Sequence, residues 1–196
     1  AYFKIFKTTD SGVDWKPFPI NFDPINQSST IDEINFLDMN TGFAIGSGGK
    51  IIKTTNSGLN WELQTRGYNL NWYLWDVSFA NNNTGFAISD YGKMLRTTNG
   101  GVNWTLLQFD RGLDFSAIAK VSPNIWYMAT WWDAKILKTT NAGLSWDTTY
   151  TYTYGPTRLK FINELTGFGV CKYTDFIKTT DGGQNWSVTS PFGSQN

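Results

Sequence analysis

Short apolar-alternating segments recur along this chain, each closed by a polar turn. Lys50-Ile51-Ile52-Lys53 and Lys135-Ile136-Leu137-Lys138 are two of them, and short polar-apolar runs such as Glu62-Leu63-Gln64 and Ser187-Val188-Thr189 follow the turns. Two short strands joined by an Asp/Asn-x-Gly turn predict a β-hairpin. The unit appears five times, at Thr8–Trp15, Thr54–Trp61, Thr97–Trp104, Thr139–Trp146 and Thr179–Trp186. In every copy a Thr stands two residues before an Asp or Asn, a Gly two after it, and a Trp three after the Gly. Successive tryptophans are 46, 43, 42 and 40 residues apart. A fixed period of this size marks a repeat architecture.

The acid or amide can accept N–H groups of its own turn, and Gly tolerates positive φ there. The Trp ring is expected to fold over the hairpin and bury a large area. Upstream of each hairpin two more strands are predicted. In the unit 31–64 these are Ile31 to Leu37 and Gly42 to Gly46, then Lys50 to Thr55 and Trp61 to Gln64. Val77 and Phe79 repeat Ile34 and Phe36, and Leu159 and Phe161 repeat them again. Four strands per unit at this period predict an all-β fold, a β-propeller of four-stranded antiparallel blades. Four full blades are expected at about 31–64, 74–107, 115–149 and 157–190, within one domain spanning 1–196. Residues 1–18 hold only the last two strands of another blade. An open blade edge exposes pairing groups, so closure is expected through missing blades or another chain, with this chain an excerpt of a larger ring.

The turn sequence resembles the Asp box of bacterial-neuraminidase-type repeats, with Asp10 and Asp181 keeping the acid and Asn56, Asn99 and Asn141 replacing it. The longer unit, Asn40-Thr41-Gly42-Phe43-Ala44-Ile45-Gly46 followed by Gly49 to Thr55, is similar to propellers of the photosystem II assembly and stability factor family. That resemblance covers nearly the whole chain. It implies that the first strand of each blade lines the central axis. It also implies that the interblade connections share one face with the turns between second and third strands, opposite the Asp boxes. Secreted or cell-surface bacterial proteins carry many such repeats, so that location is the expectation the resemblance brings. One propeller hosts many activities, so fold does not settle function.

Composition narrows the classes. Lysine plus arginine and aspartate plus glutamate number 16 each, which argues against nucleic acid as a partner. No run of about 18 apolar residues predicts a membrane span, no signal peptide is visible, and Ala1 is not a natural initiator. With 0 histidines, Ser-His-Asp chemistry and His-ligated metals are excluded, and no metal or cofactor is expected. The one cysteine, Cys171, reads as a buried free thiol.

The face carrying the interblade connections is rich in aromatics. Tyr68, Trp72, Tyr73, Tyr91, Trp131, Trp132 and Tyr173, with Asp133 beside the tryptophan pair, are the candidate ligand-binding residues; Phe109 and Tyr150 lie on the same segments. Such rings suit a sugar face or anchor a protein loop. The competing reading packs them between blades. The third full unit departs from the pattern, with Trp126-Tyr127-Met128-Ala129 where the others carry Thr-Gly-Phe-Ala or its like, and that departure marks it as a place to look for function. No catalytic residue is assigned. The expected function is a non-catalytic binding or scaffold propeller with a protein or polysaccharide partner. The alternative is a glycoside hydrolase similar to the Asp-box xyloglucanases, or a fragment of one, needing two carboxylates about 5–9.5 Å apart; Asp90, Asp133 and Asp175 recur in one turn but are also ordinary turn residues.

Overall fold

The computed structural model describes residues 4–20, 30–64, 72–109, 112–151, 155–172 and 175–190. Among them β1 (Lys4–Lys7) and β2 (Lys16–Pro19) form a two-stranded half sheet. Four four-stranded sheets follow. The first is β3 (Ile31–Phe36), β4 (Gly42–Gly46), β5 (Ile51–Thr54) and β6 (Glu62–Leu63). The second is β7 (Leu74–Phe79), β8 (Gly85–Ser89), β9 (Lys93–Thr97) and β10 (Thr105–Gln108). The third is β11 (Phe115–Lys120), β12 (Trp126–Thr130), β13 (Lys135–Thr139) and β14 (Asp147–Thr151). The fourth is β15 (Pro156–Phe161), β16 (Gly167–Cys171), β17 (Phe176–Thr179) and β18 (Ser187–Thr189). Each is an antiparallel meander in chain order. The first strands converge, with β7 packed between β3 and β11, and β11 between β7 and β15. The sheets therefore stand as blades about a common axis, the propeller expected from the repeat. The half sheet packs against the first blade, where Ile5 and Ile20 meet Ala44, Ile52 and Trp61.

The Asp-box turn is closed by its own side chains. In the second blade Thr97 Oγ1 donates to Asn99 Oδ1 at 3.1 Å and accepts the Gly101 N–H at 2.9 Å. Asn99 Oδ1 accepts the Asn103 N–H at 2.9 Å. The same three bonds recur in the other four copies, with Asp10, Asn56, Asn141 or Asp181 as the central acceptor. Trp61, Trp104 and Trp186 are buried as expected, whereas Trp15 of the half sheet is 57% exposed.

Blades join through a repeated aromatic contact. The Phe43 ring, from β4, stacks on Phe79 of β7 at 4.1 Å, and Tyr127 of β12 stacks on Phe161 of β15 at 4.2 Å. Each ring reaches over the next blade's box glycine. A Cβ on Gly101 would stand 2.6 Å from Phe43, and one on Gly183 would stand 2.7 Å from Tyr127. Both glycines also have positive φ, so this position requires Gly on two counts. The cation paired across the strands from each ring completes the joint. Lys53 Nζ lies 5.4 Å from the Phe43 centroid and donates to the Gly100 carbonyl at 2.7 Å. Lys138 repeats this over Tyr127, donating to the Gly182 carbonyl at 2.9 Å. Lys7 of the half sheet donates to the Ser57 carbonyl at 2.8 Å.

The third blade corrects one expectation. Trp126, Tyr127 and Met128 are fully buried, so the departure in β12 is a packing exchange. In the other blades a first-strand Phe lies opposite a Gly, as Phe36 opposite Gly42, Phe79 opposite Gly85 and Phe161 opposite Gly167. A Cβ on Gly85 would fall 2.5 Å from Phe79. In the third blade the same pair is Lys120 opposite Trp126. The ring has moved to the other strand, and Trp126 meets Phe86 edge-on at 4.9 Å. Lys120 Nζ is left to bond the Ala80 carbonyl at 3.0 Å.

Candidate functional site

The two ends of the propeller are chemically distinct. At one end each Asp-box turn bonds the hairpin between its blade's first two strands. Ser57 N–H donates to the Asn40 carbonyl at 2.8 Å, Gly100 to Asn83 at 2.8 Å, Ala142 to Asn124 at 3.0 Å and Gly182 to Leu165 at 2.9 Å. At the other end the turns between second and third strands meet the segments leading into the next blade. Ser47 bridges to Tyr73, Gly49 N–H donates to the Trp72 carbonyl at 2.9 Å, and Tyr91 N–H donates to Asp114 Oδ1 at 2.9 Å.

That second end carries the candidate aromatics. Tyr73 stacks on Trp75 at 5.5 Å, and Trp75 meets Trp131 of the next blade edge-on at 6.5 Å. Lys93 Nζ lies 3.5 Å from the Trp72 centroid and 5.3 Å from that of Tyr91. Lys172 Nζ lies 5.6 Å from the Trp132 centroid. Tyr73, Trp75 and Trp131 thus fall on one arc of rings, whereas Trp72 is half-buried against the core that includes Leu74 and Val77 and meets Lys93, which also reaches Tyr91. Trp132, 77% exposed, adjoins Trp131 at the arc's end. Asp133 pairs with Lys135 at 3.4 Å. Tyr68 and Tyr173 lie outside the described residues. Phe109 and Tyr150 face inward instead. Phe109 packs edge-on against Phe115 at 5.5 Å, and Tyr150 lies against Trp186 at 6.2 Å.

Trp75 is absent from the sequence-based candidates because of a bulge. Every first strand shifts register near its start, between Ile31 and Glu33, Leu74 and Asp76, Phe115 and Ala117, and Pro156 and Arg158. The extra residue, Trp75 in the second blade, leaves the two-residue alternation, as bulges do. The residue after it is re-aimed, so Glu33, Asp76 and Arg158 occupy equivalent places around the axis. They line a central cavity of about 280 Å³ with Lys120 and Lys160. Arg158 pairs with Glu33 at 3.6 Å. Asp76 accepts the N–H groups of Val77 at 2.8 Å and Ile118 at 2.9 Å. Burial pushes its carboxyl up to about 7 despite those donors, and Glu33 adds to the rise.

The turn aspartates are held locally. Asp90 Oδ1 accepts from Ser89 Oγ at 2.9 Å, Asp133 faces Lys135, and Asp175 Oδ1 accepts from Ser190 Oγ at 2.5 Å. Cys171 is a buried free thiol, and burial, with Asp175 nearby, pushes it up to about 11. A nucleophilic thiolate is therefore disfavoured. No helix among the described residues is long and apolar enough to cross a membrane.

Fold and repeat chemistry together define a β-propeller of Asp-box, or BNR, repeats. The chain belongs to the family described as photosynthesis system II assembly factor YCF48, whose model matches residues 7–159. No curated protein sequence matches it. Among solved structures, YCF48 from Cyanidioschyzon merolae is similar at a TM-score of 0.70 and 19% identity, over 95% of this chain and 66% of that one. A structure of YCF48 bound to D1 peptide is similar at a TM-score of 0.57 and 18% identity, over 84% and 70%. The GH74 xyloglucanase from Xanthomonas campestris reaches a TM-score of 0.71 at 12% identity, over 96% of this chain and 34% of the enzyme. The chain thus spans about two-thirds of the YCF48 structures and one third of the xyloglucanase. At these identities the structural likeness shows the fold alone.

Proposed function

We propose that the chain is a non-catalytic binding propeller, one domain over 1–196, that engages an extended segment of another protein through the arc from Tyr73 and Trp75 to Trp131 and Trp132, with Trp72 supporting it from below. The observation that carries this reading is the 6.5 Å contact of Trp75 with Trp131. It joins rings from two blades into one continuous surface. Such rings offer rigid apolar area at low entropic cost, and Lys93 and Lys172 beside them suit carboxylates of the bound segment. A family relative solved with a peptide bound favours a protein partner over a polysaccharide. Tyr91 and Asp133 flank the arc in this reading. A secreted or cell-surface location belongs to the same proposal and rests on the kind of protein that carries these repeats; fractionation of the source cells tests it.

The glycoside-hydrolase reading draws on the likeness to GH74 propellers, but Asp90, Asp133 and Asp175 are each engaged by a local partner. Tryptophan fluorescence should be recorded across a panel of acidic, neutral and basic peptides and soluble polysaccharides, with reducing sugar assayed in the same wells. A saturable shift with peptide, weakened by about 1–3 kcal/mol in Trp131→Ala or Trp132→Ala, supports the proposal. Released sugar overturns it.

A further inference from the structure

The axial cavity carries two tiers of side chains. Glu33, Asp76 and Arg158 form the first, just past the bulges. Two residues further along each first strand, toward the Asp-box end, the equivalent places are Asn35, Ser78, Ala119 and Lys160, opposite Phe43, Phe86, Tyr127 and Phe168. Residues two apart share a strand face, and both tiers line the cavity. Arg158 of the fourth blade meets Glu33 of the first across the axis at 3.6 Å, so the described first strands themselves enclose the space.

The first tier has a spare acceptor. Asp76 is tied to the backbone, with Oδ1 accepting from the Val77 N–H and Oδ2 from the Ile118 N–H. A carboxylate offers about four acceptor sites, so half of that capacity remains for the cavity. Among the described residues no cation pairs with Asp76, and Arg158 acts on it least of the groups that shift it. The second tier has spare donors. The Lys160 ammonium, the Ser78 hydroxyl and the Asn35 amide line the cavity without a hydrogen-bond partner among the described residues. Lys120 adds positive charge but is tied to the Ala80 carbonyl at 3.0 Å.

We propose that this cavity binds a small zwitterion of the α-amino-acid class, its ammonium on Asp76 and its carboxylate on Ser78, Asn35 and Lys160. The charge inventory favours a ligand with both signs. A bare cation would face Lys120, Arg158 and Lys160, and a bare anion would face Glu33 and Asp76. A zwitterion lying along the axis meets the acceptor in one tier and the donors in the next. Arg158 and Glu33, already paired, floor the site. The volume, about 280 Å³, lies just under the roughly 300–1,000 Å³ of pockets for drug-sized ligands. It suits a free amino acid and is too small for the extended segment assigned to the aromatic arc, so the two sites are separate.

The probes are the standard amino acids, titrated one at a time by isothermal calorimetry. Saturable one-to-one binding of at least one is expected. Its N-acetyl derivative, which lacks the ammonium, and its amide, which lacks the carboxylate, should each bind roughly tenfold more weakly or worse. Asp76→Asn and the exposed Lys160→Met should weaken it by a similar factor, with folding checked by circular dichroism. Trp131→Ala should bind it normally, which separates this site from the aromatic arc. Burial keeps a proton on Asp76 up to about pH 7, and only the ionised form holds an ammonium. Affinity should therefore rise roughly tenfold from pH 6 to 8. Asp76→Asn keeps the other charged groups that face it, Glu33, Lys120, Arg158 and Lys160, and should show no such rise. No saturation by any amino acid overturns the proposal, as does affinity in the parent chain that is flat with pH. Equal binding of the N-acetyl derivative would make this an anion site, and equal binding of the amide a cation site; either result is contrary to the proposal.

Discussion

Lys53 Nζ donates to the carbonyl oxygen of Gly100 at 2.7 Å, fastening the third strand of one blade to the Asp-box turn of the next. The partially buried ammonium also lies over Phe43, so one side chain serves both the ring and the turn. Lys53→Met keeps the aliphatic stem and removes the donor. Unfolding in urea should show a loss of about 1.5–3 kcal/mol, the range for a bond to a charged group. Lys138→Met should lose a similar amount at its own junction, and the two losses should add, since the sites share no partner.

The exchange of Lys120 and Trp126 for the usual Phe and Gly makes a sharper prediction. Trp126→Gly alone empties a fully buried site and should cost about 3–5 kcal/mol. Lys120→Phe alone drives a second ring into the space Trp126 holds and should also destabilise. The double variant restores the pattern of the other blades and should recover a large part of both losses. Thermal unfolding of the four proteins measures the coupling. Simple additivity would contradict the exchange.

How much of this is legible in the sequence follows from where each interaction is written. The Asp-box hairpin is contained in eight residues, Thr97 to Trp104 for example, so its bonds follow directly from residue type and spacing. The Lys53–Gly100 tie spans 47 positions and depends on which blades are neighbours, so it has no local signature. Trp126 misleads because its burial depends on Lys120 across the ladder, and a reading of β12 alone sees only bulk. Trp75 and Asp76 are hidden by the bulge between Leu74 and Asp76, since one extra residue reverses the faces that alternation assigns. The aromatic richness of that end is visible in composition; its continuity through Trp75 is not.

Two carboxyls should pull stability in opposite directions with pH. Asp76 is raised from 3.8 to about 7, chiefly by burial. The folded state therefore keeps a proton that the unfolded chain has lost, and this contribution is full below about pH 4 and lost as pH rises through about 7. Asp76→Asn should remove that decline, gaining most over the parent chain at pH 8, by no more than ~4 kcal/mol. Asp181 is lowered to about 2, first by the backbone N–H of Asn185 and then by its side chain. Its contribution is present above about pH 4 and lost as pH falls toward 2. Asp181→Asn should fold, since Asn fills that position in three other copies, and should flatten the acid side of the profile. Urea midpoints between pH 2 and 8 test both signs.

If rings from neighbouring blades act as one protein-binding surface, as proposed, that surface depends most on the contact of Trp75 with Trp131. The measurement is the affinity of the best-binding peptide from the panel for the parent chain, Trp75→Ala, Trp131→Ala and the double variant, each checked for folding by circular dichroism. Each single change should weaken binding roughly tenfold or more, and the double change should cost less than the sum, because losing either ring already breaks the shared contact. Unchanged affinity across all four folded proteins, or sugar release from a polysaccharide by the parent chain, would contradict the proposal.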